Sequence, residues 1–169
     1  GVVGSPDAAS ILIEGLKRLE YRGYDSAGIA ILTDKGQMVV KEKGKIRNLE
    51  AAINWDDLKG SCGIAHTRWA THGAPHQLNA HPHQAGKVAL VHNGIIENYA
   101  ALKVQLGKKG HKFLSDTDTE VLVHLIEDFY EGDLVYAVQK ALGVVEGAFG
   151  IAVTHVDEPN LIVGARRGS

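Results

Sequence analysis

The sequence predicts an α+β sandwich, with antiparallel sheets covered by helices. Three observations carry that prediction. Strand-like segments come in runs, and the helical segments gather after them, which argues against the strict βαβ alternation of a doubly wound sheet. Two strand-like segments flank Asp34-Lys35-Gly36, the signature of a hairpin. The 169 residues, 44% of them hydrophobic, suffice for one substantial core and one domain.

Taken in order, Gly1 to Gly4 is a short apolar start, and Ser5-Pro6-Asp7 supplies an N-cap serine, a first-turn proline and an early acid. A helix follows, with Ile11, Leu12, Leu16 and Leu19 on one face, Glu14, Lys17, Arg18 and Glu20 on the other, and Gly23 as its stop. Strands are expected over 27–32 and 38–43, and a short helical piece over 47–53. Two further strands, 62–67 and 87–92, bracket a loop rich in His, Pro, Gly and Asn. A helix over 98–109 places Leu102 and Leu106 at i, i+4 and stops at Gly110. Thr117-Asp118-Thr119-Glu120 is a capping box, with the Thr117 hydroxyl and Glu120 carboxylate covering free N–H groups. It opens a helix whose apolar face is Val121, Leu122, Leu125, Ile126 and Phe129. A third helix over 134–142 leads into strands 148–154 and 161–165.

Composition excludes several classes. A net charge of −2 without a Lys/Arg run gives no field for polyanions, so nucleic acid is not an expected partner. No apolar run reaches the roughly 18 residues of a membrane helix, and the N-terminus carries no signal-peptide pattern. The single cysteine, Cys62, cannot form an internal disulfide and fits a reducing, cytoplasmic compartment. It opens an apolar strand with no base at hand, so it reads as a small buried residue rather than a nucleophile. Nine histidines invite a metal reading, above all His81-Pro82-His83 with His72, His76 and His92 nearby. Histidines around a proline without acid or cysteine partners are not a convincing zinc spacing, and loop hydrogen bonding is the plainer reading; no metal or cofactor is expected. The phosphate-loop pattern does not occur.

The most informative segments run an apolar strand into a polar, glycine-punctuated turn, where scaffolds present reactive side chains. They are Gly63-Ile64-Ala65-His66-Thr67-Arg68-Trp69-Ala70-Thr71-His72-Gly73 and His92-Asn93-Gly94-Ile95-Ile96-Glu97-Asn98, joined by Tyr21-Arg22-Gly23-Tyr24-Asp25-Ser26-Ala27-Gly28 and Ser115-Asp116-Thr117-Asp118-Thr119-Glu120. Together these closely resemble the glutaminase domains of the glutamine:fructose-6-phosphate amidotransferases, over almost the whole of residues 1–169. The resemblance implies the four-layer αββα architecture of N-terminal nucleophile hydrolases. It also implies a class II glutamine amidotransferase activity, in which an N-terminal cysteine attacks the side-chain amide of glutamine and releases ammonia for conversion of fructose 6-phosphate to glucosamine 6-phosphate in hexosamine biosynthesis. The acceptor half is a separate sugar isomerase domain outside this chain, and the full-length enzyme is expected to be a homodimer.

In that family the cysteine immediately precedes a Gly-Ile/Val-Val-Gly strand, and this chain opens at Gly1-Val2-Val3-Gly4. Glycine has the amine and no nucleophilic side chain. The expectation is therefore a cysteine one position ahead of Gly1, a loop after Gly4 shortened by a few residues, and more of the domain beyond Ser169. The resemblance makes the Asn93 side-chain amide and the Gly94 N–H the oxyanion hole; by itself Asn-Gly is an ordinary turn. It assigns Arg68 to the α-carboxylate of glutamine and Asp118 to the α-amino group, opposite charges suited to a zwitterion. Dipole stabilisation at a helix N-terminus is an equal reading for Asp118. Trp69, Thr71, His72 and Gly73 match a loop that closes over the substrate, with core packing as the other reading of Trp69. Arg22 matches an arginine near the nucleophile, and would otherwise be a helix C-terminal cation. Three alternatives stand beside this reading: a nucleophile-less domain that binds glutamine or glutamate, the glutaminase domain of an amidotransferase making phosphoribosylamine, asparagine or glutamate, and a metal hydrolase on the histidine-rich loop.

Overall fold

A computed structural model describes residues 1–69 and 76–168. The chain forms two four-stranded antiparallel sheets. The first contains β1 (Val2–Val3), β4 (Cys62–Arg68), β2 (Ser26–Thr33) and β3 (Gly36–Lys43) in that spatial order; the second contains β5 (His83–Ala85), β6 (Val88–Ile96), β7 (Gly147–His155) and β8 (Val163–Arg167). Helices α1 (Ala8–Lys17) and α2 (Ile46–Ala52) cover the first sheet, and α3 (Tyr99–Lys108), α4 (Asp118–Phe129) and α5 (Leu134–Val144) cover the second. This is the αββα sandwich. Among the described residues no helix is long and apolar enough to cross a membrane.

Period-2 alternation in the strands sends successive side chains to opposite faces. On β2, Ile29 and Ile31 pack toward α1 and α2, while Ala30 faces the other sheet. On β6, Val88 and Leu90 pack toward α4 and its neighbours, while Ala89 faces inward. Ala30, Ile64, Ala89 and Val91 form the layer between the sheets. Both faces of β2 are buried along almost its whole length, as a strand between two covered layers requires.

Three expectations change. Helix α1 starts at Ala8 and ends at Lys17, with a separate 3-10 turn over Glu20–Arg22 before Gly23. Its buried face is Ala8, Ala9, Leu12, Ile13 and Leu16, whereas Ile11 is 46% exposed, because Ala9 and Ile13 complete the inward stripe at i, i+4. The capping box is only half made: Thr117 Oγ1 accepts from Glu120 N at 3.3 Å. The Glu120 carboxylate reaches past the cap to Leu114 N, Ser115 N and Ser115 Oγ at 2.7–2.8 Å, so it ties down the preceding loop instead. Finally, β6 extends to Ile96, carrying Asn93 and Gly94 inside the ladder opposite Gly150 and Phe149 rather than in a turn beyond it.

Candidate active site

The ends of β4 and β6 meet at one end of the sandwich, where two adjoining cavities open. One, of about 380 Å³, is lined by Arg68, Trp69, His92, Asn93, Gly94 and Asp118 among others. The second, of about 650 Å³, is lined by Arg22, Ala65, His66, Trp69 and Asn93 among others. The topology thus gathers six of the residues singled out in the sequence: Arg22, Arg68, Trp69, Asn93, Gly94 and Asp118. Thr71, His72 and Gly73 lie outside the described residues.

Each wall has its own anchor. Arg68 is buried at the end of β4, where its backbone carbonyl accepts from Asp25 N at 2.8 Å and its guanidinium stands 3.6 Å from Asp25 Oδ1. Ser26 Oγ donates to the same carboxylate oxygen at 2.9 Å. A buried cation is tolerable only with such a partner, and Asp25 supplies it. Opposite, Asp118 is the first residue of α4 and only 4% exposed. Its Oδ2 accepts the backbone N–H of Ile96 at 2.8 Å, tying the helix N-terminus to β6. Trp69 lies 69% exposed at the rim with its ring against Gly23, so core packing does not describe it.

Along the wall of the smaller cavity, histidines that sequence reasoning left to loop hydrogen bonding are ordered by hydrogen bonds. The His92 backbone N–H donates to His81 Nδ1 at 3.2 Å, which requires the proton of a neutral His81 to sit on Nε2. That nitrogen faces Thr119 Oγ1 at 3.4 Å, and the threonine hydroxyl meets His92 Nδ1 at 2.8 Å. The result is a closed cycle from the His92 backbone through His81 and Thr119 to the His92 ring, with Thr119 Oγ1 also 3.5 Å from Asp118 Oδ1. It locks β6 to the start of α4, beside Asp118. His83 Nε2 meets Thr117 Oγ1 at 3.0 Å on the adjoining turn. Burial pushes the pKa values of His81 and His83 well below the ordinary histidine value, with neighbouring positive or ionisable groups adding to the effect. No three His, Cys, Asp or Glu side chains among the described residues gather so as to hold a metal ion.

His66, on β4, stacks on His81 with ring centroids 4.4 Å apart, and its Nε2 is 2.8 Å from Asn93 Oδ1. Desolvation holds its pKa at about 4, so the ring is neutral near pH 7. The motif His66-Thr67-Arg68 contained this residue, yet nothing in the sequence paired it with Asn93 across the two sheets. Cys62 lies at the opposite end of β4 from Arg68; it is buried and its pKa is raised by desolvation.

Comparison with known proteins accords with this arrangement. The glutamine amidotransferase domain family matches residues 66–167. Glutamine–fructose-6-phosphate aminotransferase [isomerizing] of Thermus thermophilus is 53% identical over 164 residues, covering 96% of this chain and 27% of that protein. The Aquifex aeolicus protein of the same name is 54% identical over 171 residues, covering 100% of this chain and 29% of that protein. The chain therefore spans less than a third of the length of these curated relatives. Among solved structures, glutamine phosphoribosylpyrophosphate amidotransferase from B. subtilis, complexed with ADP and GMP, superposes with a TM-score of 0.78 at 30% identity, over 92% of this chain and 34% of that one. Two antiparallel sheets between helices, a cavity carrying the quoted motifs and a family match over more than half of its length make one conclusion plain: the chain belongs to the glutamine amidotransferase domain family, with the fold of the N-terminal nucleophile amidotransferases.

Proposed function

We propose that this site hydrolyses the side-chain amide of glutamine, with a cysteine immediately ahead of Gly1 as nucleophile. The register of β1 carries the reading. Val3 pairs with Cys62 and Val2 with Gly63, so each step back along β1 advances one residue along β4. A residue ahead of Gly1 then falls opposite Ala65, which lines the larger cavity together with Arg22, His66 and Asn93.

The chemistry suits a chain terminus. A free α-amine has a reference pKa of about 7.7–8.0 and a thiol about 8.5, so the amine takes the thiol proton without a separate base. Sulfur adds to the carboxamide carbon, and the developing oxyanion is met by Asn93 Nδ2–H and the Gly94 N–H. Collapse to the thioester expels ammonia, which leaves with the proton that the α-amine had taken. Water, deprotonated by the same amine, then adds to the thioester and frees glutamate and the thiol. Arg68 offers a fork to the α-carboxylate and Asp118 an anion to the α-ammonium group. Trp69 stands at the rim beside the bound substrate, and Arg22 borders the nucleophile.

The relatives' names support fructose 6-phosphate as the acceptor of the ammonia, on a further domain of the whole protein. A cytoplasmic setting fits the single buried thiol. The test is intact mass of the chain bearing a cysteine ahead of Gly1, before and after 6-diazo-5-oxo-norleucine, alongside glutamate release from glutamine. One label and turnover are expected. Glutamine binding with neither label nor turnover would instead favour a binding domain.

A further inference from the structure

We propose, resting on the glutaminase reading of this site, that His66 is a positioning residue: it holds the Asn93 amide with Oδ1 turned back into the protein and Nδ2 turned into the cavity. An oxyanion hole needs a donor, and an asparagine side chain has a donor and an acceptor of almost the same shape. A half-turn of the amide would aim Oδ1 at the developing negative charge, so something must choose between the two faces.

The His66 ring is the group in contact with that amide. Its Nε2 lies 2.8 Å from Asn93 Oδ1, and a carbonyl oxygen only accepts, so Nε2 carries the proton and donates. The other ring nitrogen settles the tautomer. His66 Nδ1 is sealed from solvent with no hydrogen-bond partner among the described residues. A proton there would leave a buried N–H unmade, a state native structures avoid more strictly than an under-used acceptor. The same sealed atom explains why burial holds the ring neutral, since the imidazolium would require an N–H at Nδ1.

The ring cannot simply turn over. It stacks on His81 at 4.4 Å and 19°, and His81 is itself fixed by His92 N at Nδ1 and Thr119 Oγ1 at Nε2. The His81 carbonyl oxygen in turn packs on β2, only 2.2 Å from where a Cβ on Gly28 would stand. The chain of support runs from β2 through His81 to His66 and ends at the Asn93 amide, so the first sheet orients a donor that the second sheet carries.

Two measurements test this. Long-range 1H–15N correlation spectra of the chain should give His66 the shift pattern of an Nε2–H imidazole at pH 7. An Nδ1–H pattern would overturn the proposal, because Nε2 would then accept from an Asn93 amide turned the other way. The second measurement is kinetic, in the protein with a cysteine ahead of Gly1. His66→Phe should lower glutaminase kcat at least ~10-fold while KM moves less than about 3-fold, the mark of an interaction made in the transition state. In the Asn93→Ala background the same change should cost less than about 2-fold, since its target is gone. His66→Gln, which keeps an N–H donor, should recover most of the loss. Equal losses with and without Asn93, or failure of His66→Gln to recover in a folded protein, would refute the positioning role. Loss of turnover in the unmutated protein would strike the glutaminase reading itself, which the tautomer measurement leaves distinct.

Discussion

Replacing Gly94 with alanine separates the backbone demands of the site from its chemistry. Gly94 has φ +124° within the β6–β7 ladder, a conformation that costs an L side chain ~1–3 kcal/mol. An added Cβ would stand 2.1 Å from the Ala148 carbonyl oxygen and 2.7 Å from Phe149 Cα, both backbone atoms that cannot swing aside. Restoring ordinary contact requires β7 to withdraw by roughly 1 Å, and overpacking of this kind costs a further ~1–3 kcal/mol. The sum, ~2–6 kcal/mol, is a large share of the 5–15 kcal/mol typical of a whole domain, so the expected effect is about half the stability lost. Gly147 is a matched control. It lies in the same ladder at φ +130°, and a Cβ there would stand 2.1 Å from the Ile95 carbonyl oxygen, yet it lines neither cavity. Urea unfolding of Gly94→Ala and Gly147→Ala should show similar drops in midpoint. Alanine keeps the backbone N–H, so the further loss comes from its displacement: glutaminase rates, measured where both are folded, should fall further in Gly94→Ala alone, by up to the ~10²–10³-fold that loss of a whole oxyanion donor costs. A Gly94→Ala protein within ~0.5 kcal/mol of its parent, or a Gly147→Ala protein with the same rate loss, would refute the reasoning.

Asp118→Asn should raise the glutamine KM about 10- to 100-fold by removing the charge offered to the ammonium group; substrate titration checks it, and an unchanged KM would return Asp118 to a purely structural role. Stability should fall with acid. The folded His66 pKa is about 4 against 6.5 for the free side chain, so the unfolded chain takes the proton first as pH drops. That contribution is intact above about pH 6.5 and is lost progressively down to about pH 4, a total of ~3 kcal/mol for His66. Burial shifts His81 and His83 in the same direction, and they add to the slope. Urea midpoints at pH 7, 5.5 and 4.5 measure this, and a flat profile contradicts it. Cys62→Ala should leave labelling by 6-diazo-5-oxo-norleucine unchanged in the protein with an added N-terminal cysteine, because the Cys62 thiol is buried at the far end of β4; a lost label would make Cys62 the nucleophile.

What the sequence determined by itself is local. The strand-like segments on either side of Asp34-Lys35-Gly36 specified the β2–β3 hairpin, because strand propensity and turn chemistry act over a few residues. Thr117 announced the start of α4, and with it Asp118, for the same reason, and the strand-to-turn motifs marked Arg68 and Asn93. Tertiary structure decided the rest. Ile11 and Ile13 have equal hydrophobicity, and only the placement of the first sheet buries the second of them. Glu120 caps by every local rule, yet the loop at Leu114 and Ser115 brings better donors to it. His66 meets Asn93 over a separation of 27 residues and His81 meets Thr119 over 38, so no sequence spacing encodes either pair. A side chain's partner across two sheets depends on register and sheet packing, which are properties of the whole core. The motifs therefore single out groups that line the two cavities, and the packing of one sheet on the other decides which way those groups point.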